Sequence, residues 1–198
     1  MTTTRNAAVA DDDRDTREFL QEAMQRQGWR VEAFTNGRSL VEACRRAMPE
    51  VVVTDIKMPD MDGLEALAAI NAVQTIPMVV VSAHHDDGVL ARLEEVPALG
   101  FLVKPFTEAQ LKAAVSLAVT RFRTLLALKQ ESNELKQALA DRKVVERGKG
   151  ILMRLQHIDE DEAFRRLRAT ASAKNLKLAE AAKRLISAEE ILSEFVGG

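Results

Sequence analysis

The chain has one cysteine, Cys44, one tryptophan, Trp29, and no tyrosine. A lone thiol excludes a disulfide framework and any cysteine-built metal cluster, and it suits a reducing, cytoplasmic setting. Scarce aromatics leave few platforms for stacking bases, so a nucleic-acid site would have to rely on Arg, Lys and amide groups. No apolar run is long enough to cross a bilayer, and the opening MTTTRNAAVADDD lacks the apolar stretch of a signal peptide. The expectation is a cytoplasmic chain without a membrane partner. A formal net charge of -2 excludes a global attraction to nucleic acid; any basic site must be local. The 198 residues suffice for one large domain or two small ones.

What is present is organised around residues 51–63. Val51, Val52 and Val53 suit a strand buried on both faces, because β-branched side chains pack well on a pleated surface. The strand stops at Asp55, and Pro59 and Gly63 break regular structure after it. An aspartate there could merely cap a turn. The rest of the first half argues otherwise. Residues 7–10, 30–34, 77–81 and 101–103 also read as strands. Helical spacing appears at residues 14–27, 39–47 and 64–72, and near 88–95. Asn36-Gly37 marks a turn. Strand and helix alternate, which predicts an α/β fold with a parallel sheet and right-handed crossovers.

In such a sheet, ligands sit beyond the carboxyl ends of the strands. Those ends carry Asp11 and Asp12, Asp55, Ser82 and Lys104. Three gathered carboxylates are costly without a divalent cation, and an all-oxygen donor set suits Mg2+. A hydroxyl and an ammonium beside it suit a phosphoryl group. His84 and His85 fall in a polar loop without paired metal ligands. Met58 and Met61 read as packing and turn residues.

Asp-Asp after strand one, Asp-x-x-Met-Pro-x-Met-Asp-Gly after strand three, Ser after strand four and Lys-Pro after strand five together resemble the receiver domain of two-component response regulators, over roughly residues 5–122. The resemblance implies a doubly wound, flavodoxin-like sheet of five strands. It implies Asp55 as the phospho-acceptor, served by a sensor histidine kinase. Asp12, Asp55 and the backbone carbonyl of Lys57 would ligate Mg2+, with Asp11 reaching it through water. Ser82 and Lys104 would bind the phosphoryl oxygens, and Phe101 would occupy an aromatic switch position; an ordinary core role for Phe101 stays open.

Thr107-x-x-Gln110 is a capping box, and no Gly or Pro interrupts residues 107–147. Leu125, Leu128, Ser132, Leu135 and Leu139 follow heptad-like spacing. The seam predicts a coiled-coil connector joining two copies as a homodimer, or else a long helix packed on its own domain. Beyond it, three amphipathic segments predict a small helical bundle. They are the end of the long helix, a second helix opened by the Asp159-x-x-Glu162 box, and a third opened near residues 175–178. Ser187-x-x-Glu190 suggests a separate last turn. The boundaries read as a receiver over 1–122, a connector over 123–140 and a tail over 141–198.

From Arg142 to Arg184 there are twelve Lys and Arg against six Asp and Glu, so the tail is locally basic. A charge run by itself is usually a solvated helix face. The blocks DRKVVERGKGILM, DEAFRRLR and NLKLAEAA, in that order, resemble the ANTAR domain over about residues 138–190. That family implies binding of paired RNA stem-loops in transcription antitermination. Contacts are expected from Arg147, Lys149, Arg165, Arg168, Asn175 and Lys177, with Phe164 placed in the core. Gly148 departs from the family's usual alanine, and with Gly150 suggests a bend or fraying. Ala181 departs where a larger apolar residue is common. The expected protein is a regulator and not an enzyme. The alternative is a phospho-regulated chain whose tail binds a protein partner or DNA; the Gly-free connection over 169–175 counts against a helix-turn-helix.

Overall fold

The computed structural model describes residues 5–83 and 98–196. His84, His85 and the expected helix near 88–95 lie outside them. The chain divides into two compact units, residues 1–126 and 127–198.

In the first unit, β1 (Arg5–Ala10), β2 (Trp29–Phe34), β3 (Val51–Asp55), β4 (Met78–Ser82) and β5 (Gly100–Val103) form one sheet in the order β2-β1-β3-β4-β5. All four pairings are parallel, with registers such as Val9 opposite Val53 and Val80 opposite Phe101. The period of two sorts the strands onto two cores. Ala8, Ala10, Val52 and Val80 face Leu40 of α2 (Gly37–Arg46) and Leu67 of α3 (Gly63–Val73). Ala7, Val9, Val51, Val53, Val79 and Val81 face Leu20 and Met24 of α1 (Arg14–Arg26), and Leu111 and Val115 of α4 (Glu108–Gln156). Each fully buried large side chain contributes about 1.5–3 kcal/mol.

Side-chain caps set where the helices begin. Asp13 accepts from the Thr16 amide at 2.8 Å. Asn36, read from the sequence as part of a turn, accepts from the Ser39 amide at 2.8 Å, so α2 starts two residues earlier than expected. Asp62 and Glu65 form a reciprocal capping box at 2.8 and 3.0 Å that hydrophobic spacing alone does not reveal. Thr107 and Gln110 pair as expected, at 2.8 and 3.3 Å.

In the second unit the end of α4, α5 (Glu160–Ala173) and α6 (Leu178–Val196) pack around Leu167, Ala171, Ala181 and Ala182. Asp159 caps α5 by accepting from the Glu162 amide. There is no separate turn at Ser187, because α6 runs through it to Val196.

Gly148 does not end α4, which is helical through residue 156. A Cβ on Gly148 would lie 3.0 Å from the Ala182 Cβ, so glycine is what lets α4 approach α6 closely. The helix-propensity cost is offset by that crossing. Ala181 and Ala182 are buried for the same reason. Ala182→Leu is therefore expected to overpack the bundle by about 1–3 kcal/mol and to lower the tail's unfolding midpoint in chemical denaturation followed by circular dichroism. An unchanged midpoint would contradict this close crossing.

Candidate functional site

Parallel strands bring Asp11, Asp12, Asp55, Ser82 and Lys104 to one sheet edge, since each ends or directly follows a strand. Asp11 and Asp55 are buried and Asp12 is exposed, and carboxylate oxygens of the three lie within 4.8 Å of one another. Lys104, after β5, reaches past β4 to the ends of β3 and β1: its Nζ is 2.8 Å from Asp11 Oδ2 and 3.2 Å from Asp55 Oδ2. The Ile56 amide donates to Asp55 Oδ1 at 2.9 Å, and the Lys104 amide donates to the Ser82 carbonyl at 2.8 Å. Lys57 lies two residues beyond Asp55, in the loop leaving the same edge. Phe101, in β5, is half-buried and packs on the α2–α3 face of the sheet. Met58 and Met61 also pack on that face.

Among the described residues charge is unbalanced here, with the three carboxylates of Asp11, Asp12 and Asp55 against the Lys104 ammonium. Burial is the main influence on Asp11 and Asp55, and it raises both pKa values although Lys104 pulls them back. Burial alone would lower the Lys104 pKa. Its hydrogen bond to Asp11 and the charges of Asp55 and Asp11 outweigh this, and the pKa is raised. The oxygen-only donor set and its excess negative charge fit a hard divalent cation.

Two supports were missed from sequence. Arg17 donates to the carbonyls of Asp11 at 2.8 Å and Asp12 at 3.3 Å, which ties α1 to the loop carrying both carboxylates. The signal was only an Arg in the first turn of a helix. Gly63 was read as a chain break. It lies against β3, its amide donating to the Ile56 carbonyl at 2.8 Å.

The tail residues expected to meet RNA are not equivalent. Lys149 is 8% exposed and held by Glu160 at 2.6 Å and Glu146 at 2.8 Å, which raise its pKa. Arg147 pairs with Glu190 at 2.7 Å, and Arg165 with Glu162 at 2.7 Å. Asn175 holds a left-handed turn with φ 52° after α5, a conformation asparagine tolerates better than most residues. Arg168 and Lys177 are exposed and, among the described residues, meet no carboxylate at ion-pair distance. Phe164, expected in the core, is 38% exposed on α5, because Ala163 and Leu167 take the inward positions.

A parallel α/β unit with an acid-lined edge and a bridging lysine, followed by a charged helical tail, defines a receiver-type signalling class. The response regulator receiver domain family matches residues 7–116, and the ANTAR domain family matches residues 133–186. The chain belongs to the two-component response regulators that couple a receiver to an RNA-binding ANTAR output. It is similar to the transcriptional regulatory protein PdtaR of Mycobacterium tuberculosis, with 33% identity over 168 residues, 84% of this chain and 82% of that one. The DNA-binding transcriptional regulator NtrC of Proteus hauseri is 34% identical over 60% of this chain and 25% of its own length. Among solved structures, the BeF3-activated DrrB receiver domain superposes with a TM-score of 0.55 at 26% identity, covering 60% of this chain and 99% of that one. These relatives are regulators, and this chain is a regulator and not an enzyme. Among the described residues, no helix is long and apolar enough to cross a membrane.

Proposed function

We propose that a sensor histidine kinase transfers a phosphoryl group to Asp55, and that this controls transcription antitermination through binding of RNA stem-loops by the tail. The observation that carries the reading is Lys104 Nζ between the buried carboxylates of Asp11 and Asp55. A carboxylate oxygen of Asp55 attacks phosphorus, an O–P bond forms, and the P–N bond to the kinase's histidine breaks. The electron pair returns to the imidazole. Lys104, already 3.2 Å from Asp55 Oδ2, stays with the charge now carried on the phosphoryl oxygens, and Ser82 supplies a hydroxyl beside them. Asp11, Asp12, Asp55 and the Lys57 carbonyl would hold Mg2+, which when bound offsets the charge of the carboxylates and the phosphoryl group. Phe101 of β5, half-buried against the α2–α3 face, would repack when that edge changes.

Mg2+ at about a hundred times its dissociation constant is expected to stabilise the receiver by about 2.7 kcal/mol. The gain should disappear in Asp12→Asn, whose exposed side chain is not needed for the core. Differential scanning calorimetry with and without EDTA measures it.

The connector seam supports assembly with a second copy. Leu125, Leu128, Leu135 and Leu139 are 54–62% exposed along α4, an apolar stripe with a heptad period. Two copies would present two tails to paired stem-loops. Of the six expected RNA contacts, Arg168 and Lys177 are the cations with no ion pair among the described residues, and Lys149 ties α4 to α5. Arg147, Arg165 and Asn175 lie on the same unit; Arg147 and Arg165 would contribute after leaving Glu190 and Glu162. Gel-shift titration of the phosphorylated chain against a two-loop RNA at several salt concentrations tests the output. Arg168→Gln and Lys177→Gln are each expected to reduce the slope of log K against log salt by about one. Unaltered slopes would remove both residues from the interface, and salt-independent or absent binding would remove the output itself.

A further inference from the structure

The cavity at the amino-terminal edge of the sheet has no part in the function proposed above. It measures about 440 Å3, and all its lining residues belong to the receiver unit. Arg5 opens β1 and Trp29 opens β2, so the cavity lies a strand's length, roughly 20 Å, from the acidic edge. One wall is a stripe of α4 in which Lys112, Thr120 and Arg123 recur at helical spacing. Arg26, at the end of α1, forms another part of the rim.

Among the described residues, four cationic side chains line this space and no carboxylate does. Arg26 is committed to Glu108 at 3.1 Å and Glu22 at 3.3 Å. Among the described residues, Arg5, Lys112 and Arg123 have no carboxylate at ion-pair distance. The Arg5 guanidinium is held 4.2 Å over the Trp29 ring, so it is presented in a fixed place. In the same wall, Gln27 Nε2 is a buried donor with no acceptor. A solvated helix face accounts for Lys112 and Arg123 taken alone. It does not account for a concavity that also holds a guanidinium laid over a buried ring. Like charges around one space repel, and an anion with several oxygens relieves that repulsion.

We propose that this cavity binds a compact polyphosphate group, as an input to the receiver separate from the aspartate edge. The Trp29 ring is buried and its face is covered by Arg5, so the recognised chemistry is the phosphate chain and not an aromatic base. Bound there, the ligand ties Lys112 and Arg123 of α4 to Arg5 of β1.

Trp29 is the chain's only tryptophan and reports directly, since an anion that pairs with the Arg5 charge over its face changes its emission. The full chain is titrated at constant ionic strength in EDTA with sodium tripolyphosphate and, separately, with inorganic phosphate. A saturable change is expected, about ten-fold or more tighter for tripolyphosphate. Lys112→Glu with Arg123→Glu, both at solvated positions, should weaken it about ten-fold or more, while the charge-matched Arg45→Glu with Arg46→Glu should not. Tripolyphosphate should raise the melting temperature of wild type more than that of the single variant Arg123→Gln, which reads the same site if the double variant folds poorly. No saturable change, or equal affinity in wild type and variants, overturns the proposal. A third arm uses stem-loop RNA. If RNA loses affinity in the Lys112 and Arg123 variants while tripolyphosphate never binds, the cavity is an RNA backbone contact and the polyphosphate assignment fails.

Discussion

Asp55→Asn is expected to take up no label from acetyl phosphate and Mg2+, and in EDTA to unfold at a higher temperature than wild type. Asparagine keeps the shape and the oxygen that accepts from the Ile56 amide at 2.9 Å. It lacks the anionic oxygen that attacks phosphorus, so labelling should fall to background; label that persists would move the acceptor elsewhere. The stability gain has a separate origin. Burial raises the Asp55 pKa above its unfolded value, in spite of Lys104. The folded state then disfavours the charge, and that penalty is fully present above the raised pKa. It fades as pH falls through the raised value. The difference between variant and wild type should therefore be largest near neutral pH and close on acidification. Lys104 is left with Asp11 at 2.8 Å, so the variant is not left with a buried ammonium lacking a counter-charge. A wild type more stable than the variant at every pH would refute the charge imbalance inferred for this edge.

Gly63→Ala is expected to be the most damaging single methyl in the receiver. A Cβ at residue 63 would fall 1.8 Å from the Asp55 carbonyl oxygen and 3.1 Å from Thr54 Oγ1. The obstacle is backbone of a fully buried strand, so no side-chain rotation relieves it. Either α3 moves away, losing the hydrogen bond from the Gly63 amide to the Ile56 carbonyl, or β3 shifts and carries Asp55 with it. Both routes cost about 3 kcal/mol or more, at the upper end for overpacked sites, and the melting temperature should fall on the order of 10 °C. Phosphoryl uptake should drop as well, since the obstacle lies on the acceptor residue itself. Gly28→Ala is the useful comparison: its φ of +84° makes any side chain strained, but no atom lies within 4 Å of a Cβ there. It should cost only the backbone strain, about 1 kcal/mol. If Gly63→Ala were as mild as Gly28→Ala, the close approach of α3 to β3 would be wrong.

Much of the receiver was readable because its signals are local. Three valines in β3, short apolar strands and helices spaced by Gly, Pro and Asn dictate parallel α/β order, and that order places strand ends on one edge whatever the exact packing. The caps were less legible. Asn36 reads equally as turn or cap until the Ser39 amide is seen pointing at it. Phe164 could not be placed by spacing, since its neighbours Ala163 and Leu167 are enough to fill the inward face of α5. Ser187 looked like a helix start because the same residue types serve caps and exposed helix positions, and only the continuous run of α6 decides between them.

The amino-acid sequence by itself determined the class of the fold, the carboxylates, hydroxyl and lysine of the acidic edge, and the basic bias of the tail. These follow from periodicity and charge, which need no knowledge of distant contacts. Tertiary structure alone decided which charges are already committed. It buried Lys149 between Glu146 and Glu160, set Lys104 between Asp11 and Asp55, and left Arg168 and Lys177 open to solvent. It also turned Gly148 from an apparent weak point into the contact that lets α4 lie against Ala182. Ion pairing and close approach depend on distances between residues far apart in sequence, and those distances exist only once the chain has folded.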